Sequence, residues 1–228
     1  MADFVKLPIY RGFTEIARIF EITQQTNSII CGGYVRYMAS PRRKVEPPGD
    51  VDIYSCTEDA FEANLKEFDA LGFDRRHEND MAVTYRPHKE MPWGAAPAIQ
   101  VIKPVIEGAI VAFGSMEEIL ENFDFTVVRV GLLDPETVLA DPDFERDEME
   151  RKLRFKNIHC PVSSMLRACK YYKKGYWMRP SEAIRLFIDW DDRSESYRAS
   201  LIDLLARSKE GELSREDVEE LEALLRID

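Results

Sequence analysis

The stretch that most limits how this chain can fold is residues 28–55, SIICGGYVRYMASPRRKVEPPGDVDIYS. A short apolar run ends in a Gly-Gly pair. A short helical segment follows, then a loop rich in proline and charge, and then a run in which acidic and apolar residues alternate. The stretch reads as strand, corner, helix, loop, strand. Alternate side chains of a strand share a face and each residue rises about 3.3 Å, so Asp50 and Asp52 should project together, about 6 to 7 Å apart at their Cα atoms. A fold that accepts this unit must leave that face open to something that tolerates two neighbouring carboxylates.

The flanking sequence supplies the rest of a mixed sheet and its cover. Phe13, Ile16, Ile19, Phe20 and Thr23 repeat at helical spacing. The segment EDAFEANLKEFDALG has an acidic first turn, an apolar stripe at Phe61, Leu65, Phe68 and Leu71, and a terminal Gly72. FDRRHENDMAVTYRP and AIQVIKPVI read as strands around the loop HKEMPWGAAP. Ser115 followed by Glu118 is a capping-box pattern that opens SMEEILENF, and DFTVVRVGLLD after it is β-rich.

From about residue 144 the pattern turns helical in FERDEMERKLRF, SSMLRACKYYKKGY, RPSEAIRLFIDW, SESYRASLIDLLARS and SREDVEELEALLRI. The expected class is α+β: a mixed sheet covered by helices over residues 1–140, then a small helical domain over 141–228.

Composition narrows the function. The 228 residues are 45% hydrophobic, enough for a real core. A net charge of −11 and a pI near 4.9 argue against a broad basic face for duplex nucleic acid. Cys31, Cys56, Cys160 and Cys169 form no CxxC pair and the three histidines are scattered, so a zinc centre has no support. No apolar run approaches the roughly 18 residues that span a bilayer, and no leader pattern is seen. The expected setting is cytoplasmic with reduced thiols.

Two carboxylates at this spacing suit a hard cation. Mg²⁺ favours one or two carboxylates with water and phosphate oxygens, and two such ions about 3.5 to 4 Å apart serve phosphoryl transfer. Gly32 and Gly33 lack Cβ atoms, so backbone can approach a triphosphate, and the following helix offers unpaired N–H groups. Arg36, one turn on, can reach the same phosphates. Arg42, Arg43 and Lys44 sit on the loop between the two motifs, where they could steer an anion or simply be solvated. Arg167, Lys170, Lys173 and Lys174, interleaved with Tyr171 and Tyr172, read either as a basic, base-stacking surface or as the solvated side of a core helix.

These motifs resemble the DNA polymerase β-like nucleotidyltransferase superfamily, in particular the head and neck of bacterial-type CCA-adding enzymes and poly(A) polymerases. GGYVRY and DVDI match that family's glycine corner and its metal-binding strand. FDFTVVRVGLLDPETVLADPD is similar to its DFT segment and the turn beyond, and LRFKNIHCPVSSMLRACKYYKKGY to its neck entry. The resemblance covers about residues 28–176, and in architecture the chain resembles the shortened nucleotidyltransferase-fold proteins of phages and giant viruses.

The resemblance implies Asp50 and Asp52 as catalytic metal ligands for two Mg²⁺ ions, with Mn²⁺ as a substitute, and Asp124 as a further catalytic acid. Gly32, Gly33, Arg36, Arg167 and Lys170 would bind the nucleotide. It implies transfer of NMP from a nucleoside triphosphate to an acceptor hydroxyl, an RNA 3′ end in the first instance. Transfer to a protein or small molecule, or a catalytically silent nucleotide-binding module, are the alternatives. The chain departs from the family at Tyr37, where aspartate is usual, at Gln100, where a third acid often stands, at Asn122 and Phe123, and at CPVSS in place of the base-reading EDxxR. Authentic CCA addition is therefore not expected.

Overall fold

The computed structural model describes residues 3–78, 82–87, 97–102 and 114–207. Along the chain come β1 (Val5–Pro8), α1 (Phe13–Gln25), β2 (Ser28–Cys31), α2 (Gly33–Ala39), β3 (Asp50–Ser55), α3 (Glu58–Ala70), β4 (Asp74–Glu78), β5 (Ala82–Arg86) and β6 (Ala98–Ile102). Next are α4 (Met116–Glu121), a 3-10 turn at Thr126–Val128, β7 (Val130–Leu132), β8 (Thr137–Ala140), α5 (Phe144–Glu150) and β9 (Lys152–Leu153). α6 (Pro161–Tyr172), β10 (Trp177–Met178), α7 (Pro180–Asp191) and α8 (Glu195–Arg207) follow. The helix expected from Ser214 and the loop at 88–96 lie outside the described residues.

One eight-stranded sheet runs in the order β1-β8-β7-β2-β3-β6-β5-β4. Its pairings are antiparallel except for β3 with β6, which are parallel, so the sheet is mixed and the class is α+β, as the pattern implies. The aspartate-bearing β3 is central, between β2 and β6.

The two faces of the sheet differ in chemistry because strand side chains alternate. Val51 and Ile53 join Ile16, Ile19 and Ile22 of α1, Tyr34, Val35 and Met38 of α2, and Phe61 and Phe68 of α3 in the main core. Each such buried aliphatic or aromatic side chain contributes about 1.5–3 kcal/mol through apolar burial. The opposite face carries a smaller cluster of Cys31, Ile119, Leu120 and Leu139, with Tyr54 and Phe123 against it.

Local signals hold the covering helices in place. The Thr57 hydroxyl accepts from the Ala60 N–H at 3.1 Å at the start of α3. The Ser115–Glu118 capping box forms in both directions at α4. Asn64, fully buried on α3, donates to Ser28 and Ser55 and accepts from Thr26, tying the helix to β2 and β3.

Two expectations need correction. DFTVVRV is not a continuous strand: Val128 N–H turns back to the Phe125 carbonyl while Thr126 N–H donates to the Arg154 carbonyl, giving a 3-10 turn before β7. FERDEMERKLRF is not one helix. It stops at Arg151, which takes a left-handed φ of 52°, because Lys152 and Leu153 pair in parallel with Trp177 and Met178. A second core of Phe125, Val127, Phe155, Ala168, Tyr171, Tyr176 and Leu186 joins the C-terminal helices to the sheet unit.

Candidate functional site

Asp50, Asp52 and Tyr54 alternate on β3 with buried Val51, Ile53 and Ser55. Asp52 lies opposite Cys31 on β2 and opposite Gln100 on β6, and Asp50 opposite Ala98. Gln100 therefore stands directly beside Asp52, at the strand position where the resembled family often has an acid. Burial pushes the Asp52 carboxyl up to about 7, and the Asp50 charge pushes the same way against the pull of Lys170.

Gly32 follows β2 with a left-handed φ of 80°. A Cβ there would come 3.2 Å from the Phe123 ring and 3.6 Å from Asp52 Oδ2, so both backbone and packing require glycine. Gly33 differs, since a Cβ on it would meet nothing within 4 Å. The corner thus seats its first glycine against the carboxylate strand and leaves open space at its second.

α6 and the turn that ends it bring cations along this strip. Lys170 acts on Asp52, and Lys174, one turn further, feels Asp50 and Arg36. Proline at the first helical position and Ser164, Ala168 and Tyr171 on the buried side set this orientation.

The other expected residues have different partners. Asp124 is 5% exposed, and its Oδ2 accepts from Arg167 Nε at 2.7 Å and from the Ser164 hydroxyl at 3.0 Å, while Oδ1 accepts from the Phe125 N–H. Among the described residues, no three His, Cys, Asp or Glu side chains converge as a metal cluster. The structure thus joins Asp124 to Arg167 rather than to the Asp50–Asp52 pair.

Arg36 is 2% exposed. Its Nη1 donates to the Tyr176 hydroxyl at 2.6 Å and to Glu148 at 3.3 Å, and it lies 5.6 Å from the centre of the Tyr171 ring. Ser40 at 2.7 Å and Arg42 at 3.3 Å also donate to Glu148, as does the Tyr176 hydroxyl. The arginine expected at the phosphates is built into a buried ionic network. Glu148 and Tyr176 lie 112 and 140 residues from Arg36, so no local spacing could have announced them.

The donor set fits a hard cation. Two neighbouring carboxylates, one of them held partly protonated by burial and by its neighbour, gain from a divalent ion that restores both charges. The open space at Gly33 leaves room for the phosphate and water oxygens that would complete the shell.

This mixed sheet, with its glycine corner and paired aspartates, has the fold of solved CCA-adding and tRNA-processing enzymes. The structure of the Bacillus stearothermophilus CCA-adding enzyme in complex with CTP is similar at 22% identity and a TM-score of 0.51, over 74% of this chain and 41% of that one. The Thermotoga maritima CCA-adding enzyme complexed with tRNA is similar at 15% identity and 0.56, over 96% and 54%. A tRNA-processing enzyme in an apo form gives 17% and 0.55, over 98% and 59%. The chain thus spans about two-fifths to three-fifths of the length of these structures. None of the curated proteins matches it. Residues 8–151 match the Gad2, or Gabija anti-defense 2, family, and the chain belongs to that family.

Proposed function

We propose that the chain is a metal-dependent nucleotidyltransferase that moves NMP from a nucleoside triphosphate to an acceptor hydroxyl and releases pyrophosphate. The observation that carries this reading is the Asp50–Asp52 pair on a central strand, beside an open glycine corner and facing Lys170. A repelling pair on a half-buried face costs stability unless a cation is there to use it. In this reading residues 1–140 are the catalytic unit and 141–228 the helical wall opposite.

Asp50 and Asp52 would hold Mg²⁺, which when bound supplies Lewis-acid charge at the reacting phosphate. Gly32 and Gly33 admit the triphosphate to the strand. Lys170 draws its negative charge toward the carboxylate strip and opposes the burial and the Asp50 charge that favour the protonated form of Asp52. The Arg167–Asp124 pair positions the wall on the far side, with the half-exposed Arg167 side chain at the nucleotide. Arg36 serves the site by fixing α2, and with it the corner, to Glu148 and Tyr176.

An RNA 3′ end is the acceptor by analogy with the CCA-adding enzymes. A protein hydroxyl is the second reading. The net charge of −11, the family's designation as anti-defense, and the substitution of CPVSS for a base-reading motif favour it. The test is transfer of α-labelled ATP, CTP, GTP and UTP with Mg²⁺ or Mn²⁺ to total RNA and total protein, for wild type and Asp50→Ala/Asp52→Ala. Label that vanishes in the variant supports transfer, and its sensitivity to nuclease or protease names the acceptor. A folded protein that binds triphosphates but labels nothing would instead be a nucleotide-binding module.

A further inference from the structure

Beyond Asp50, the loop from α2 to β3 and the turn that ends α6 line a cavity of ≈ 700 Å³. Arg42, Arg43, Lys44, Arg151, Lys173 and Lys174 line it, with Arg36 and Tyr176 in its wall. The acids that act on these seven cations are Glu46 on the lining, Asp50 toward Lys174, and Glu148 behind Arg36. Glu148 is already taken by Arg36 and Arg42. Among the described residues, Arg43, Lys44, Arg151 and Lys173 make no ion pair. The Arg36 Nε, itself buried, has no hydrogen-bond partner.

In a chain of net charge −11, this concentration of unpaired cations runs against the overall sign. Crowded like charges destabilise a fold unless an anion is gathered among them. Burial, together with Arg36 and Lys170, already holds the Lys174 ammonium below its usual range, against Asp50 and Glu46.

We propose that this cavity is a binding site for a compact polyphosphate, meaning two or three linked phosphates held by Arg43, Lys44, Arg151, Lys173 and Lys174. Cations from separate segments meet around one concave space, which suits a short, dense anion. An extended nucleic-acid backbone needs a stripe of charge along a groove. Arginine forks and lysine points together satisfy many phosphate oxygens at once. The site needs neither the aspartates nor a metal, so it stands apart from the transfer reading.

The test is calorimetric titration of inorganic tripolyphosphate into the full chain with EDTA present, at two salt concentrations. Wild type, Arg43→Gln/Lys173→Gln and Asp50→Asn/Asp52→Asn are compared. Wild type should bind, and more weakly at higher salt. The cation variant should bind at least tenfold more weakly with a melting temperature that stays level or rises, since neither side chain is in an ion pair and like-charge crowding is relieved. The aspartate variant should bind equally or more tightly, and Lys44→Gln should reproduce the loss independently.

Absence of binding by wild type, or equal binding by the cation variant, would overturn the site. Binding that tightens in the aspartate variant while the cation variant binds as wild type does would move the anion to the glycine corner. Tighter binding of a single-stranded oligonucleotide than of tripolyphosphate would replace the polyphosphate with a nucleic-acid backbone. Absence of label transfer by wild type with Mg²⁺ or Mn²⁺, while EDTA-resistant tripolyphosphate binding is intact, would count against the transferase reading alone.

Discussion

Two groups of charges, both set by α2 and the loop that follows it, are handled in opposite ways. At Arg36, Glu148, Ser40, Arg42 and Tyr176 each buried charge meets a counter-charge or a hydroxyl, and the Arg36 Nε alone of these groups is left without a hydrogen-bond partner. At Asp50 and Asp52 two like charges share a strand face, and the pair depends on Lys170 from across the site. A buried ion pair with satisfied partners holds parts of a fold in register, whereas leaving like charges together makes sense where a ligand supplies the missing charge. The contrast separates the residues that shape this site from those offered to a substrate.

The sharpest way to break the comparison is to remove the open pair. Asp50→Ala/Asp52→Ala should lower transfer of labelled NMP by about a thousandfold or more, the scale of several kcal/mol of metal-borne stabilisation. Its melting temperature should stay level or rise, because repulsion goes with the carboxylates. Comparable loss of folding and of transfer would mean the pair is structural.

Breaking the paired cluster should do the reverse. Arg36→Met leaves Glu148 buried without its main cation and should cost about 3–5 kcal/mol in denaturant unfolding. Pairing Arg36→Met with Glu148→Leu should recover much of that, whereas a phosphate-binding role for Arg36 would leave the double variant as defective in nucleotide binding as the single one. A smaller effect is expected at the Asp124–Arg167 pair, because Arg167 is half exposed. Arg167→Met should cost about 1–2 kcal/mol, with Asp124 keeping its bonds to Ser164 and to the Phe125 N–H.

The same contrast shows what could be read in the sequence. The corner, the alternating aspartates, the capping box at Ser115 and the stripe of α1 are local patterns, and each has its expected form in the structure. Gln100 is placed through the resemblance, and the parallel pairing of β3 with β6 sets it opposite Asp52. Arg36 and Asp124 were expected at a ligand because the residues that engage them, Glu148, Tyr176 and Arg167, lie 43 to 140 residues away. The short pairing of β9 with β10 is also non-local, and it ends a segment whose own spacing is helical. β1 and β8 have four residues each, as β2 does, but neither is flanked by a signal like the glycine corner that marks β2.

The finest test uses protons. Asp52 ionises near its ordinary value of 3.8 when unfolded and at about 7 when folded, with burial the main cause and Asp50 the next. Between those values the folded chain holds a proton that the unfolded chain has released, so folding is favoured at low pH and that contribution is lost as pH rises through about 7. In EDTA, the melting temperature of wild type relative to Asp52→Asn should therefore fall from pH 5 to pH 8. Mg²⁺ binds the ionised pair in the folded chain and should reduce that fall, by an amount that grows with ion concentration. Asp50→Asn removes the repelling neighbour and should shift the fall to lower pH, whereas Lys170→Met removes the attracting one and should shift it higher. If Mg²⁺ raised the melting temperature of Asp50→Asn/Asp52→Asn as much as that of wild type, the ion would be binding elsewhere, and the open pair would lose its claim as the metal site.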